Sequence, residues 1–219
     1  MSAGRKAVVR VLLERHGRPY AEELGIDLAR NTPSPLFRWL VASLLLSARI
    51  SGRIALAAAA ALSRAGWRTP RRMAEAGWEA RVRVLNRSGY ARYDESTSRM
   101  LGDSCALLLD RYGGDLRRLR EAAGRDPARE RELLKEFKGI GEVGADIFFR
   151  EIQPCWEEHF PFADKRALGA AAVLGLGDDA AALAGLVPRK DFPRLVTALV
   201  RTDLEGDAKD VLEAAGGAA

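Results

Sequence analysis

The sequence predicts an all-α protein, long enough for one large domain or two small lobes. Apolar residues recur at helical spacing along most of the 219 residues, as in residues 94–111. No stretch of useful length alternates with the period of a strand. Turn-forming clusters, such as residues 31–35 and 66–70, separate the helical stretches. We therefore expect roughly ten helices and no sheet.

The helices follow from local signals, taken in chain order. The first begins near Ala7 and stops before Pro19, and Ser34-Pro35 starts the next. Residues 36–47 are apolar almost all round, which places them at the centre of a lobe. Thr69 can cap a helix whose first residue is Pro70. The remaining helices are expected at residues 52–63, 79–85, 94–111, 115–123, 164–174, 178–184 and 191–201, with two more around residues 133–149.

Charge and composition favour a soluble protein with a polyanionic partner. The chain has 35 basic and 30 acidic residues, but residues 203–219 hold five acids and one base. The remaining residues, 1–202, carry 34 bases against 25 acids, a balance of +9. A basic body fits nucleic acid, and the alternative is that its Arg-rich helices are merely solvated.

Cysteine and histidine are scarce. With two cysteines and two histidines, we expect neither a disulfide framework nor a Cys-rich metal site. No apolar run is long enough to span a bilayer, and the first ten residues lack the apolar core of a signal peptide. We expect a cytoplasmic monomer, associated with the nucleoid if the source is bacterial.

Residues 133–149 read as a helix, a tight hairpin and a second helix. Gly139 and Gly141 allow backbone torsions that a side chain would block, and Ile140 can plug the gap between the helices. Gly144 lets another backbone come close. The second helix then begins with free N–H groups that favour an anion, so the stretch predicts phosphate binding by backbone. The alternative is an ordinary tight turn.

Asp164 follows an extended aromatic segment and precedes a helix. An N-cap is the simpler interpretation, since Asp is a favoured residue there. The functional interpretation is a carboxylate that stabilises a developing cation or takes a proton from water.

Taken in order, four motifs carry a family resemblance. They are Ser34-Pro35-Leu36-Phe37, Leu44-Leu45-Leu46-Ser47-Ala48-Arg49, Gly139-Ile140-Gly141-Glu142-Val143-Gly144-Ala145, and Asp164 after its hydrophobic segment. Together they resemble the endonuclease III branch of the helix-hairpin-helix DNA glycosylase superfamily. The resemblance implies two helical lobes with the hairpin at the cleft between them. It also implies a damaged or mismatched base flipped out of duplex DNA and removed by cleavage of its bond to the sugar.

The resemblance assigns a role to each matching position. Asp164 matches the catalytic Asp. Arg49 matches the residue that fills the gap left by the flipped base; its alternative is a solvated arginine at a helix end. Tyr90 falls near a second wedge position, where an aromatic ring could stack on a base; its alternative is packing of the Gly89 loop. The DNA-binding hairpin comprises Lys138, Gly139, Gly141, Val143 and Gly144. Its carbonyls would hold a monovalent cation, and no other cofactor is expected.

The sequence departs from the family at two sites. Bifunctional members carry a lysine that attacks the sugar, and Val143 stands at that position, so Schiff-base lyase activity is not expected. No cysteine follows Arg201, so the iron–sulfur cluster is expected to be absent. The loop of residues 153–162 is also longer than in the family, and its His159 is a candidate second acid or base.

These observations lead to a division of the chain and to three hypotheses. We expect a central lobe at 34–136, a second lobe from 1–33 plus 150–204, the motif at 133–152 between them, and an acidic, partly disordered tail at 205–219. The leading hypothesis is a monofunctional DNA glycosylase. The others are a catalytically inactive protein that binds damaged or structured DNA, and a helical interaction protein without a DNA role.

Overall fold

The structure is a computed structural model that describes residues 3–217, with the backbone alone at Ala3. Every regular element in this part of the chain is helical, so the all-α prediction is confirmed. The α-helices are α1 (Ala3–His16), α2 (Tyr20–Glu23), α3 (Pro33–Leu46), α4 (Gly52–Arg64), α5 (Pro70–Glu75), α6 (Gly77–Arg87), α7 (Asp94–Tyr112), α8 (Leu116–Ala122), α9 (Pro127–Lys135), α10 (Glu142–Ile152), α11 (Lys165–Val173), α12 (Ala180–Ala184), α13 (Phe192–Glu205) and α14 (Ala208–Gly216). Short 3₁₀ helices lie at Leu28–Arg30, Glu157–His159 and Arg189–Asp191. No helix among residues 3–217 is both long and apolar enough to cross a membrane.

Side-chain caps fix several helix starts. Thr69 accepts a hydrogen bond from the N–H of Arg72, and Pro70 is the first residue of α5, as the sequence predicts. Ser51 caps α4 in the same way through the N–H of Ile54. These bonds satisfy backbone donors that a helix leaves unpaired at its first turn. Short-range sequence signals therefore set the limits of these helices.

The described chain forms two compact units. One comprises residues 24–148, and the other comprises residues 3–23 together with 149–217. The division falls within α10, between Phe148 and Phe149. The first unit thus begins earlier than the predicted central lobe and includes the hairpin as far as Phe148. Below they are called the hairpin unit (24–148) and the terminal unit (3–23 and 149–217).

In the hairpin unit, α3 lies at the centre of the core. Leu36, Trp39 and Leu45 are completely buried, as the nearly continuous apolar run predicts. The indole N–H of Trp39 donates to the carbonyl oxygen of Phe148 at 3.1 Å, so the buried ring leaves no unpaired donor. α3 packs against α4, whose alanine side chains allow close approach.

In the terminal unit, α13 lies at the centre, and α1 and α11 pack against it. Leu195, Val196 and Leu199 are completely buried on α13. The buried carboxylate of Glu151 accepts the N–H groups of Tyr20 and Ala21, both at 2.8 Å, and the hydroxyl of Thr197 at 3.2 Å. Burial raises the pKa of Glu151, and these donors oppose the rise. This carboxylate fastens the start of α2 to α10.

The acidic tail differs from its prediction. Residues 208–216 form α14, which packs against α1, and Val211 is completely buried there. The prediction of partial disorder is therefore wrong for these residues, while Ala218 and Ala219 lie outside the described residues. Val211 and Ala215 are four residues apart and lie on one face of the helix, so the tail is amphipathic. The prediction gave more weight to the acidic residues of the tail than to this apolar pair.

The packing of α14 can be tested with two neighbouring residues. Val211→Ala removes two buried methyl groups and should lower the free energy of unfolding by roughly 1–3 kcal/mol. Leu212→Ala is the matched control, because Leu212 is 40% exposed and should change the value by less than about 0.5 kcal/mol. Urea unfolding of the full chain measures both. Equal, small effects at the two positions would contradict a packed tail helix.

Candidate nucleic-acid interface and aspartate site

The hairpin lies between the end of α9 and the start of α10. The first helix ends at Lys135, and the N–H groups of Glu136 and Phe137 bond to carbonyls three residues back, which tightens the chain into a 3₁₀ turn. Phe137 therefore lies beyond the end of α9, and its side chain is buried. The N–H of Ile140 then donates to the carbonyl oxygen of Phe137 at 2.9 Å and closes the turn.

Gly139 is the glycine that this turn requires. Its φ is +89°, and a Cβ there would lie 2.9 Å from Sδ of Met100 and 3.0 Å from the Leu44 side chain. Gly141 does not have a positive φ and has open space around it, so the prediction that both glycines need special torsions holds for Gly139 alone.

Gly144 is needed for a different reason from the one predicted. A Cβ there would meet the side chain of Ile140 at 3.3 Å and Cβ of Ser47 at 3.6 Å, so side chains approach it rather than another backbone. Ile140 is 3% exposed, which agrees with its predicted role as a plug. Ser104 on α7 donates to the carbonyl oxygen of Lys138 at 3.1 Å. The hairpin thus rests on α3 and α7.

The start of α10 combines unpaired helical N–H groups with exposed residues. Its first backbone hydrogen bond runs from Ala145 N–H to the carbonyl oxygen of Gly141 at 2.9 Å. The N–H groups of residues 142–144 come before it and have no acceptor within their own helix. Gly141, Glu142 and Val143 are exposed, and Val143 is 59% exposed. The helix dipole adds partial positive charge here, so the site suits an anion.

An acid occupies the first position of α10, and bases of α9 offset it. Glu142 accepts from Nζ of Lys135 at 2.6 Å and from Arg131 at 3.0 Å. These contacts, that of Lys135 first, hold the pKa of Glu142 below its usual range. Arg131 also bonds Asp146 at 2.7 Å. The two helices of the motif are therefore fastened by ion pairs, and the charge of Glu142 is matched within the motif.

The other predicted DNA contacts divide into exposed and buried side chains. Arg49 lies exposed in a bend, two residues after Ser47, which follows α3 and approaches Gly144. Lys138 is exposed in the turn itself. Tyr90 is completely buried, and its hydroxyl donates to the carbonyl oxygen of Leu45 at 3.3 Å. A buried ring is not available to stack on a base, so the wedge assignment of Tyr90 is corrected to packing beneath the Gly89 loop.

Asp164 is a buried N-cap with a second partner. Its Oδ1 accepts the N–H groups of Arg166 and Ala167 at 2.9 and 3.1 Å, as an N-cap does. Its Oδ2 accepts from Nε and Nη2 of Arg150 at 2.8 and 2.5 Å. Asp164 is 6% exposed and Arg150 is 5% exposed. The carboxylate is therefore both a helix cap and one half of a buried ion pair.

The segment that delivers Asp164 is held by Gln153. The side-chain amide of Gln153 accepts the N–H of Phe162 at 3.0 Å and donates to the carbonyl oxygen of the same residue at 3.0 Å. It also donates to the carbonyl oxygen of Arg150 at 2.8 Å. Arg150 is a partner of Asp164 that was not predicted from the sequence. The one sequence feature that pointed to it is the charged pair Arg150-Glu151, inside the otherwise apolar end of α10.

His159 belongs to an aromatic cluster of the terminal unit. Its ring stacks on Phe149 with centroids 4.0 Å apart and lies 6.3 Å from Trp156. His159 is 6% exposed. In the structure His159 is a packing residue of this cluster. Its suggested role as an acid or base stays a prediction.

The residues able to hold an ion differ in how well they fit. Carbonyl oxygens of the hairpin are uncharged donors suited to a monovalent cation, and those of Phe137, Lys138 and Gly141 each accept one hydrogen bond and keep a second lone pair. That cation stays a prediction.

A second group of possible metal ligands lies among residues 3–217. Its members are His16, Glu205 and Asp207, but Nε2 of His16 is already hydrogen-bonded to Asp207 at 2.7 Å.

Neither cysteine contributes to these sites. Cys105 is buried on α7, and burial raises the pKa of its thiol to about 12, so it stays protonated and inert at neutral pH. Cys155 is half-buried, and its thiol donates to the carbonyl oxygen of Ile152 at 3.3 Å.

Comparisons with known proteins give a limited likeness. No protein-family model matches the chain, and no characterised protein matches its sequence. Among solved structures it is similar to a trapped endonuclease III–DNA covalent intermediate, an estranged-adenine complex. The identity is 18%, the match covers 74% of this chain and 71% of that chain, and the TM-score is 0.48. At these values the similarity does not assign an activity.

The two hairpin glycines differ in a way that mutation can test. Gly139→Ala places a Cβ against Met100 and Leu44 at a positive φ, and should lower the free energy of unfolding by roughly 1–3 kcal/mol. Gly141→Ala, the matched control, enters open space and should change it by less than about 0.5 kcal/mol. Urea unfolding compares the two. A larger loss at Gly141 than at Gly139 would contradict this description of the turn.

Proposed function

We propose that this protein is a DNA-repair glycosylase that removes a damaged or mismatched base from duplex DNA. The observation that carries the proposal is the hairpin, in which Gly139 shapes the turn and Lys138 is exposed. The exposed residues Glu142 and Val143 then begin α10, and their N–H groups have no acceptor within the helix. Such a surface grips a phosphate without reading sequence, which suits an enzyme that searches DNA for lesions. The excess of basic residues in 1–202 supports the same partner.

The proposed reaction is hydrolysis of the N-glycosidic bond. The hairpin binds a phosphate, the target base leaves the stack, and Arg49 fills the gap. The bond between C1′ and the base nitrogen breaks, and its electron pair leaves with the base. The oxygen of water bonds to C1′, and a proton from that water ends on the base. Asp164 is the carboxylate proposed to stabilise the positive charge that develops on the sugar.

The proposed enzyme is monofunctional. A lyase of this family needs an amine at the position of Val143, which forms a Schiff base and leads to strand cleavage. Val143 is 59% exposed at the start of α10, so no packing requirement keeps a lysine from this position. The valine therefore marks a difference in chemistry rather than a difference in fold.

A second candidate is a protein that binds damaged or structured DNA without cutting it. The specific observation in its favour is the carboxylate of Asp164. A carboxylate offers about four lone-pair positions, and four N–H donors occupy those of Asp164 here. In this arrangement none is left for water or for substrate. A purely structural Asp164 would leave the hairpin to act in binding alone.

The reaction is tested with a panel of duplexes, each carrying one damaged or mismatched base. We expect base release from at least one duplex, with strand breaks only after alkali. Asp164→Asn should reduce the release rate by at least about 100-fold, because it removes the charge that opposes the developing cation, while DNA affinity stays within about twofold. Single-turnover release and fluorescence anisotropy measure the two effects.

The control is Asp179→Asn, because Asp179 caps α12 through the N–H of Ala182 and has no proposed role in the reaction. This variant should keep the wild-type rate. Breaks without alkali and a borohydride-trapped adduct would contradict the monofunctional assignment. No release from any duplex, together with tight DNA binding, would establish the second candidate instead.

The hairpin contact predicts a definite response to salt. If Lys138 neutralises one phosphate, Lys138→Ala should weaken duplex binding and reduce the slope of log affinity against log salt by about 0.9. Arg71→Ala is the control, since it removes one exposed charge from α5, outside the motif. Titrations at several salt concentrations give the slopes. The same slope for wild type and Lys138→Ala would rule out this contact.

A further inference from the structure

Two buried polar side chains, at the end of α10 and in the turn that follows it, hold the proposed catalytic segment. Arg150 is 5% exposed and Gln153 is 1% exposed, and both contact the segment that ends in Asp164. Arg150 belongs to the last turn of α10, and Gln153 is the first residue after the helix. One short stretch of chain therefore sets both the backbone before Asp164 and its carboxylate.

Arg150 fixes the carboxylate itself. Two N–H groups of one planar guanidinium donate to Oδ2, at 2.8 and 2.5 Å, so they restrict the oxygen in direction as well as in distance. When side-chain atoms alone are counted, Arg150 is 6% exposed and Asp164 is 3% exposed. Burying a carboxylate this deeply is costly unless a positive charge and donors replace its water. Arg150 supplies both.

Capping alone does not require this arrangement. Asp126 and Asp179 cap α9 and α12 from exposed positions, each through one N–H of the helix. At Asp164 the cap uses only Oδ1, and Arg150 acts on the other oxygen. Placing an arginine against a capping aspartate in the interior costs desolvation of two charges. The pair therefore does more than begin α11.

We infer that Arg150 is the positioning residue for Asp164, with Gln153 holding the segment that precedes it. This inference rests on the proposed glycosylase function. Because Arg150 occupies Oδ2, the carboxylate acts through its fixed negative charge on the developing cation and not by taking a proton from water, which needs a free lone pair. Without either side chain, the carboxylate of Asp164 is still present, but its position is no longer fixed.

The test measures the single-turnover rate and the DNA affinity separately, on the duplex that the wild type processes. Arg150→Met should lower the rate by about 100-fold, the cost of a small displacement of a catalytic group, and change DNA affinity by less than about twofold. Arg150→Lys keeps the charge without the planar pair of donors, so its rate should lie between those of Arg150→Met and the wild type. Arg10→Met, which removes an exposed arginine paired with Glu14 on α1, is the control and should keep the wild-type rate.

Several outcomes would overturn the inference. One is a folded Arg150→Met that works at the wild-type rate or faster, and another is an Arg150→Lys no better than the methionine variant. If Arg150→Met does not fold, Gln153→Met and Arg150→Lys decide the matter, and wild-type rates in both would overturn it. A wild type that releases no base from any duplex shows instead that the proposed function has failed, and the positioning role fails with it.

Discussion

The terminal unit depends on the requirement that a charge removed from water must meet donors or an opposite charge. Arg150 and Glu151 are adjacent in sequence, and both are buried at the end of α10. They are matched in different ways, Arg150 by the carboxylate of Asp164 and Glu151 by the N–H groups of Tyr20 and Ala21. The first match holds the start of α11 to α10, and the second holds the start of α2 to α10. The cost of an unmatched buried charge makes both attachments specific.

The hairpin unit meets a different constraint, which is steric. Gly139 must adopt a positive φ where Met100 and Leu44 leave no room for a Cβ, and Ile140 fills the space that Gly144 leaves open. Packing therefore fixes the turn, while Glu142 and Val143 at the start of α10 are exposed. A surface that presents fixed backbone donors needs no side chain to bind an anion, and so it can bind phosphate without reading bases.

Asp164 is held in place by three separate groups of contacts. The cap orients Oδ1, the guanidinium of Arg150 orients Oδ2, and Gln153 fixes the backbone that leads to both. Preorganisation of this kind is what electrostatic catalysis needs, because a charge that is already in place requires no rearrangement during the reaction. The same contacts would serve a protein that only binds DNA, so chemistry on a lesion decides between the two.

The sequence by itself determined the features that depend on neighbouring residues. Helical spacing, the Thr69-Pro70 start, the N-cap at Asp164 and the glycine in the hairpin turn are all local, and each has the structure that its pattern predicts. The tertiary structure alone decided which side chains are buried and paired. It buried Tyr90, packed His159 on Phe149, folded residues 208–216 against α1, and brought Arg150 to Asp164, fourteen residues further along the chain. These outcomes depend on contacts between segments distant in sequence, where desolvation and packing, rather than local propensity, set the free energy.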